Sequence, residues 1–285
     1  MTVAAHGSLL VPSSLDTAIA ALTDLGEDGA PFAGGTWIMR APIRHEARKA
    51  TYVALGRIAE LREITITPAA LEIGAGVTHA ALASAITTLD DLRGLAAAAG
   101  RSANPAVRAA ATVGGNLCTV AFAAADLVPA LLCLDAEVEI AGAGGRERMM
   151  LEAFLVRRGT LAPGHLLTRI IVPRHLGHSA HARLPLRKAG DYPVAIVSLR
   201  VACDPSGRVR EIRIAVGAVE PVARRWPMLE ATLTGERLDP ESAAERAAAC
   251  LDAFTGRDGI EAPGWYRVHI LPTLFRRAVA AASGS

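Results

Sequence analysis

Lysine is scarce in this chain, cysteine is sparse, and neither a strong net charge nor a long apolar run is present. Lys49 and Lys188 are the only lysines; the other basic residues are arginines. The formal net charge is +2 and the basic residues are scattered, so the concentrated basic stripe of a nucleic-acid-binding surface is missing. Cys118, Cys133, Cys203 and Cys250 make no C-x-x-C pair and no zinc or iron–sulfur spacing. Buried free thiols in a reducing compartment are expected instead, in a chain that cannot ligate a cluster by itself. The start, M-T-V-A-A-H-G-S-L-L, has no basic leader before an apolar stretch, which predicts no signal peptide. No uncharged apolar run approaches the roughly 18 residues that a membrane helix needs. The expectation is a soluble, cytoplasmic protein. Ser179 and Ser198 lack a G-x-S-x-G setting, which argues against a serine hydrolase. His165, His175, His178 and His181 have no carboxylate or cysteine at ligand spacing and read as a solvated loop.

What is present is core-forming material. Apolar residues make up 51% of 285 positions, enough for two or three compact units. S-S-L-D-T-A-I-A-A-L reads as a short amphipathic helix with Ser14 or Asp16 as its cap. Y-V-A-L at 52–55 reads as a buried strand. L-E-I-G-A-G-V-T-H-A reads as a strand, a glycine turn and a helix continuing to Leu89. A-E-V-E-I and L-L-T-R-I-I-V-P are further strands, the latter stopped by Pro173. V-A-I-V-S-L-R-V-A-C and V-R-E-I-R-I-A-V-G-A-V flank a D-P-S-G-R turn and predict an antiparallel pair. D-P-E-S-A-A-E-R-A-A-A-C-L-D-A-F predicts a helix with Pro240 in its first turn and Asp239 or Ser242 as cap. A last helix, bent or delayed by Pro272, closes the chain. These patterns place unit boundaries at 1–55, 56–173 and 174–285.

Two short glycine segments stand out, A-G-G-T at 33–36 and A-T-V-G-G-N at 111–116. Each can be an ordinary tight turn, or a place where bare backbone N–H groups approach a phosphate. Thr36, Thr112, Asn116 and Thr119 add polar side chains. Asp126, ten residues beyond Asn116, suits ribose hydroxyls or an adenine amine better than phosphate. From spacing alone, two unrelated turns and two loops sharing one diphosphate are both open readings.

Four motifs in order carry a resemblance: P-F-A-G-G-T-W-I-M at 31–39, I-G-A-G-V-T at 73–78, A-T-V-G-G-N-L-C-T at 111–119 and A-D-L-V-P-A-L-L-C-L-D-A at 125–136. Over about residues 10–280 the chain resembles the FAD-binding subunit of molybdenum hydroxylases, a family with the carbon monoxide dehydrogenase medium subunit and the xanthine dehydrogenase flavin domain. The resemblance implies an α+β fold: a two-subdomain FAD-binding module of the vanillyl-alcohol-oxidase/PCMH type, then a small C-terminal domain of antiparallel sheet plus helices. It implies FAD contacts at Phe32, Ala33, Gly34, Gly35, Thr36, Trp37 and Ile38, and at Ala111, Thr112, Gly114, Gly115, Asn116 and Thr119. Asp126 corresponds to an aspartate near the adenosine, Leu167 to an apolar residue near the flavin, and Lys188 to a lysine of the next segment. Tyr192 is a candidate neighbour of the flavin ring. The implied activity is that of an oxidoreductase subunit, passing electrons from iron–sulfur clusters in a partner through FAD to an external acceptor. The implied partners are an iron–sulfur subunit and a large molybdopterin-binding subunit, in a dimer of heterotrimers. The chain departs from the family pattern in four places. R-A-A-A-T at 108–112 lacks the usual asparagine, and the loop before Asp126 lacks proline and is one residue longer. K-A-G-D-Y-P-V-A is shortened. Trp37 replaces a polar residue and reads as core wedge, adenine or flavin neighbour, or plain turn packing.

Overall fold

A computed structural model describes residues 8–186 and 192–283 of the chain. The first strands are β1 (Ser8–Leu10), β2 (Gly29–Phe32) and β3 (Thr51–Ala54), which form a parallel sheet in the order β1-β3-β2. Helix α1 (Leu15–Leu25) supplies the crossover between β1 and β2. Ser14 is its N-cap, its side chain accepting the Thr17 N–H, so the cap is Ser14 and not Asp16. The buried face of α1 is Leu15, Ala18, Ile19 and Leu22, spaced as a helix stripe requires. Each fully buried leucine there contributes about 2 kcal/mol of transfer free energy.

The second sheet is antiparallel, in the order β4-β5-β8-β6-β7. Its strands are β4 (Ile64–Ile66), β5 (Ala70–Gly74), β6 (Glu137–Gly142), β7 (Gly145–Met150) and β8 (Leu166–Pro173). Between β5 and β6 the chain runs through α2 (His79–Ile86), α3 (Arg93–Arg101), α4 (Pro105–Ala110), α5 (Val113–Cys118) and α6 (Leu127–Cys133), and α7 (Leu151–Arg157) follows β7. Helix α2 ends at Ile86, short of the expected Leu89. Leu71, Ile73, Leu82, Leu95, Leu117, Leu131 and Phe154 belong to one core between this sheet and these helices.

The last sheet is antiparallel, in the order β12-β11-β10-β9, from β9 (His178–Pro185), β10 (Pro193–Cys203), β11 (Val209–Gly217) and β12 (Arg224–Arg225). It is covered by α8 (Pro227–Leu233), α9 (Pro240–Ala248), α10 (Gly264–His269) and α11 (Leu271–Ser283) around Trp226, Phe254 and Phe275. The Asp239 side chain caps α9 with Pro240 at its first turn. The expected single last helix is two, because the chain breaks at Ile270 just before Pro272.

The expectation of a solvated histidine loop is wrong for 178–181. His178–Pro185 is strand β9, and His181 is buried with Nδ1 2.8 Å from Ser198 Oγ on β10. A polar side chain on this edge strand can be buried when its partners lie on neighbouring elements. Strand β9 also packs on α3: the Gly94 N–H donates to Ser179 Oγ at 2.9 Å, joining the last sheet to the preceding helices. All four thiols are free, but Cys118 and Cys203 are exposed and only Cys133 and Cys250 are buried. Burial pushes the Cys133 thiol up to about 12, so it is inert. Among the described residues no helix is long and apolar enough to cross a membrane, and no cluster of His, Cys, Asp and Glu could hold a metal ion.

Candidate functional site

Strand β2 ends at Phe32, and residues 33–37 turn the chain into a 3-10 helix at Ile38–Arg44. Gly35 takes φ +69°, where glycine is favoured, and a Cβ there would strike the Phe32 ring at 2.6 Å. A Cβ on Gly34 would stand 1.9 Å from Ala110 O, so this loop lies directly against the end of α4. The N–H groups of Gly34, Gly35 and Thr36 find no acceptor among the described residues, whereas Gly35 O and Trp37 O accept from Met39 and Arg40. Three successive bare donors form the kind of backbone concavity that takes an anion.

The second glycine segment is not a turn. Thr112 is the N-cap of α5, and Gly114 and Gly115 sit in that helix's first turn. Most of its donors are occupied: Val113 N–H by Val77 O, Gly114 N–H by Ala75 O, Gly115 N–H by Thr112 Oγ1 and Asn116 N–H by Thr112 O, with only the Thr112 N–H lacking an acceptor among the described residues. Of the two open readings, a run of bare N–H groups is therefore found at 34–36, whereas 111–116 offers only that of Thr112. Residues 111–116 present side chains instead, and the Asn116 Oδ1 is buried without a partner. The segment is fixed by pairing with 77–79, through the Thr78–Thr112 bridge and the His79 N–H to Ala111 O bond at 2.9 Å.

The two segments share one cleft of 320 Å3. Ala33, Gly34, Gly35, Thr36, Trp37 and Ile38 line it from one side. Ala111, Thr112, Gly114, Gly115, Asn116 and Thr119 line it from another, and Asp126, Leu167 and Tyr192 complete the predicted set. Phe32 does not line the cleft. Its ring backs Gly35 and meets Tyr52 edge-on with centroids 5.9 Å apart. Lys188 lies outside the described residues. Trp37 is held between the Arg44 guanidinium, 3.8 Å from its ring centroid, and Phe122, 5.1 Å between centroids. Phe122 in turn meets Tyr192 at 5.1 Å, and the Tyr192 hydroxyl accepts from Arg40 at 3.0 Å. Thr119 Oγ1 donates back to Gly115 O at 2.7 Å.

The structure adds residues that the motifs did not point to: Arg40, His79, Ser102, Phe122 and Arg183 also line the cleft. Arg183 changes the picture of Asp126. The Asp126 carboxylate is 4% exposed, and its Oδ1 accepts from Arg183 Nε at 2.8 Å and lies 3.5 Å from His181 Nε2. A carboxylate so paired is a fixed acceptor, its charge met by a guanidinium from β9. His79 is 3% exposed, and burial pushes its imidazole down to about 4, so it is neutral near pH 7. Its position at the start of a helix, in V-T-H-A, was the available signal, but nothing nearby in sequence marks Ser102 as its partner.

These features favour an extended ligand with an anionic middle. The bare N–H groups of 34–36 suit its phosphates, and Leu55, Leu61, Leu166 and Leu167 supply apolar wall. Asn116 Oδ1 and His79 Nε2 are buried polar atoms without partners. A flavin dinucleotide fits that donor and acceptor set.

Comparison with known proteins agrees. Residues 5–175 match the family described as FAD binding domain in molybdopterin dehydrogenase, and residues 181–282 match the CO dehydrogenase flavoprotein C-terminal domain. The chain is 30% identical to the xanthine dehydrogenase FAD-binding subunit of Escherichia coli, over 89% of both chains. It is 29% identical to the 6-hydroxypseudooxynicotine dehydrogenase complex subunit alpha of Paenarthrobacter nicotinovorans, over 96% of this chain and 93% of that protein. Quinoline 2-oxidoreductase from Pseudomonas putida 86 superposes with a TM-score of 0.89 at 27% identity, covering 100% of this chain and 99% of that one. The chain thus belongs to the FAD-binding subunits of the molybdenum hydroxylase family, whose members are oxidoreductase components.

Proposed function

We propose that this chain is the electron-transferring flavoprotein of a three-component molybdenum dehydrogenase, with its FAD in the cleft between 33–38 and 111–119. The observation that carries the reading is the row of unpartnered N–H groups at Gly34, Gly35 and Thr36, placed against the α4–α5 junction. Those three donors would hold the diphosphate. Asn116, Thr112 and the Arg183-held Asp126 would bind neutral polar parts of the nucleotide, and Leu167 would pack near the ring system. Phe32 would support Gly35 from behind, and Trp37, Phe122 and Tyr192 would exclude water from the mouth. FAD, when bound, supplies two-electron chemistry that links clusters in a partner to an external acceptor.

The scattered cysteines support an iron–sulfur partner as the source of electrons, and the relatives' own names describe subunits of complexes. A large molybdopterin subunit, a dimer of heterotrimers and a cytoplasmic location complete the proposal. Purification of the chain with its native partners tests it. Stoichiometric FAD released on denaturation, with iron, sulfide and molybdenum in the co-purifying chains, is expected. A colourless assembly that takes up no FAD would make this chain a scaffold instead.

A further inference from the structure

His79 lines the cleft, is nearly inaccessible to solvent, and belongs to no glycine motif. One side of its ring is accounted for. Nδ1 is 2.8 Å from Ser102 Oγ, and that hydroxyl lies 3.1 Å from Ala99 O. Ser102 Oγ touches both groups, so it either accepts from His79 Nδ1–H or donates to Nδ1. The ring's Nε2 is buried and makes no hydrogen bond of normal geometry among the described residues, although the Thr112 backbone acts on the ring. Buried polar atoms are almost always hydrogen-bonded, so one left bare on a cleft wall points to a group supplied by the ligand.

The neighbouring charges decide which kind of group. Asp126 and Arg108 are the charged residues that act on the ring. Asp126 is engaged by Arg183, and Arg108 donates to the Ser102 and Ala103 carbonyls at 3.1 and 2.6 Å. The imidazole is neutral near pH 7. A neutral ring offers no charge to a phosphate and suits an uncharged polar group. We propose that His79 is a cofactor-binding residue whose Nε2 hydrogen-bonds a hydroxyl or amine of the flavin nucleotide, separate from the donors that hold its diphosphate. This rests on the flavin reading of the cleft.

The full chain as wild type, H79Q and H79F is stripped of flavin and titrated with FAD and with FMN by flavin fluorescence, alongside apo thermal melts. H79Q keeps a hydrogen-bonding group and binds FAD within about threefold of wild type. H79F loses about tenfold in FAD affinity while its apo melting temperature holds or rises, because the bare nitrogen has gone from the interior. If FMN affinity falls equally, the partner is a ribityl hydroxyl; if FMN is unaffected, it belongs to the adenosine half. Wild-type affinity for FAD in H79F overturns the assignment, as does a loss of affinity in both variants that tracks a fall in apo stability. Failure of wild type itself to bind FAD defeats the flavin reading, a result distinct from a loss confined to the variants.

Discussion

Alanine at position 34 tests the close approach on which the cleft is built. The added Cβ would stand 1.9 Å from Ala110 O and 2.8 Å from the Ala110 carbonyl carbon, where ordinary contact begins at 3.4 Å. Both atoms are backbone, so no side-chain rotation relieves the clash. The 33–36 loop and the α4–α5 junction must separate, by roughly 1.5 Å if the displacement is direct, and such overpacking costs about 1–3 kcal/mol. Expressed in binding, this is about 5- to 150-fold in the FAD dissociation constant. Expressed in the apo protein, each kcal/mol lowers the melting temperature by about 2–4 °C for a chain near this size. The assay is reconstitution of stripped protein with FAD, followed by fluorescence quenching, with thermal melts of each apo form. Gly56→Ala is the control, since a Cβ there meets nothing within 4 Å. Gly34→Ala with the affinity and melting temperature of Gly56→Ala would refute the idea that this contact shapes the site.

Two further outcomes follow from the polar residues around the cleft. Arg183→Met leaves the Asp126 carboxylate buried without its guanidinium, which should cost about 3–5 kcal/mol in urea unfolding, with the D126N/R183M double variant recovering much of that. A single variant as stable as wild type would show that the pair contributes nothing. For His79 the folded-state value lies near 4 against an ordinary 6.5, so as pH falls the unfolded chain takes up the proton first. The apo protein therefore loses up to about 3 kcal/mol between pH 6.5 and pH 4 and nothing from this group above pH 7. The wild-type minus H79Q stability difference isolates this slope, because the depressed carboxyls Glu139 and Glu211 are common to both proteins. A difference that stays constant across that range contradicts the buried neutral imidazole.

The parts of the fold that were readable in the sequence are those whose determinants are local. The alternating runs on either side of D-P-S-G-R became β10 and β11, paired from Ile196–Gly217 to Cys203–Val209. Pro240 and Asp239 marked the start of α9, and Ser14 that of α1. The four ordered motifs gave the family and its fold. What escaped depends on distant partners. H-S-A-H-A-R-L-P looks like a wet loop until Ser198 takes its histidine and Asp126 accepts from its arginine. V-G-G-N looks like bare backbone until Ala75 and Thr112 consume its donors. His79 has its hydrogen-bond partner 23 residues away, which no local pattern announces. In each case a polar group's meaning is set by which element folds against it, and periodicity does not carry that information.

The central claim is that the backbone donors of 34–36 hold the diphosphate of one FAD against the 110–116 segment. A crystal structure of the chain reconstituted with FAD measures this directly. Diphosphate oxygens within hydrogen-bonding distance of the Gly34, Gly35 and Thr36 N–H groups are the expected result; a diphosphate held elsewhere, with those three donors still unpartnered by it, would contradict the account.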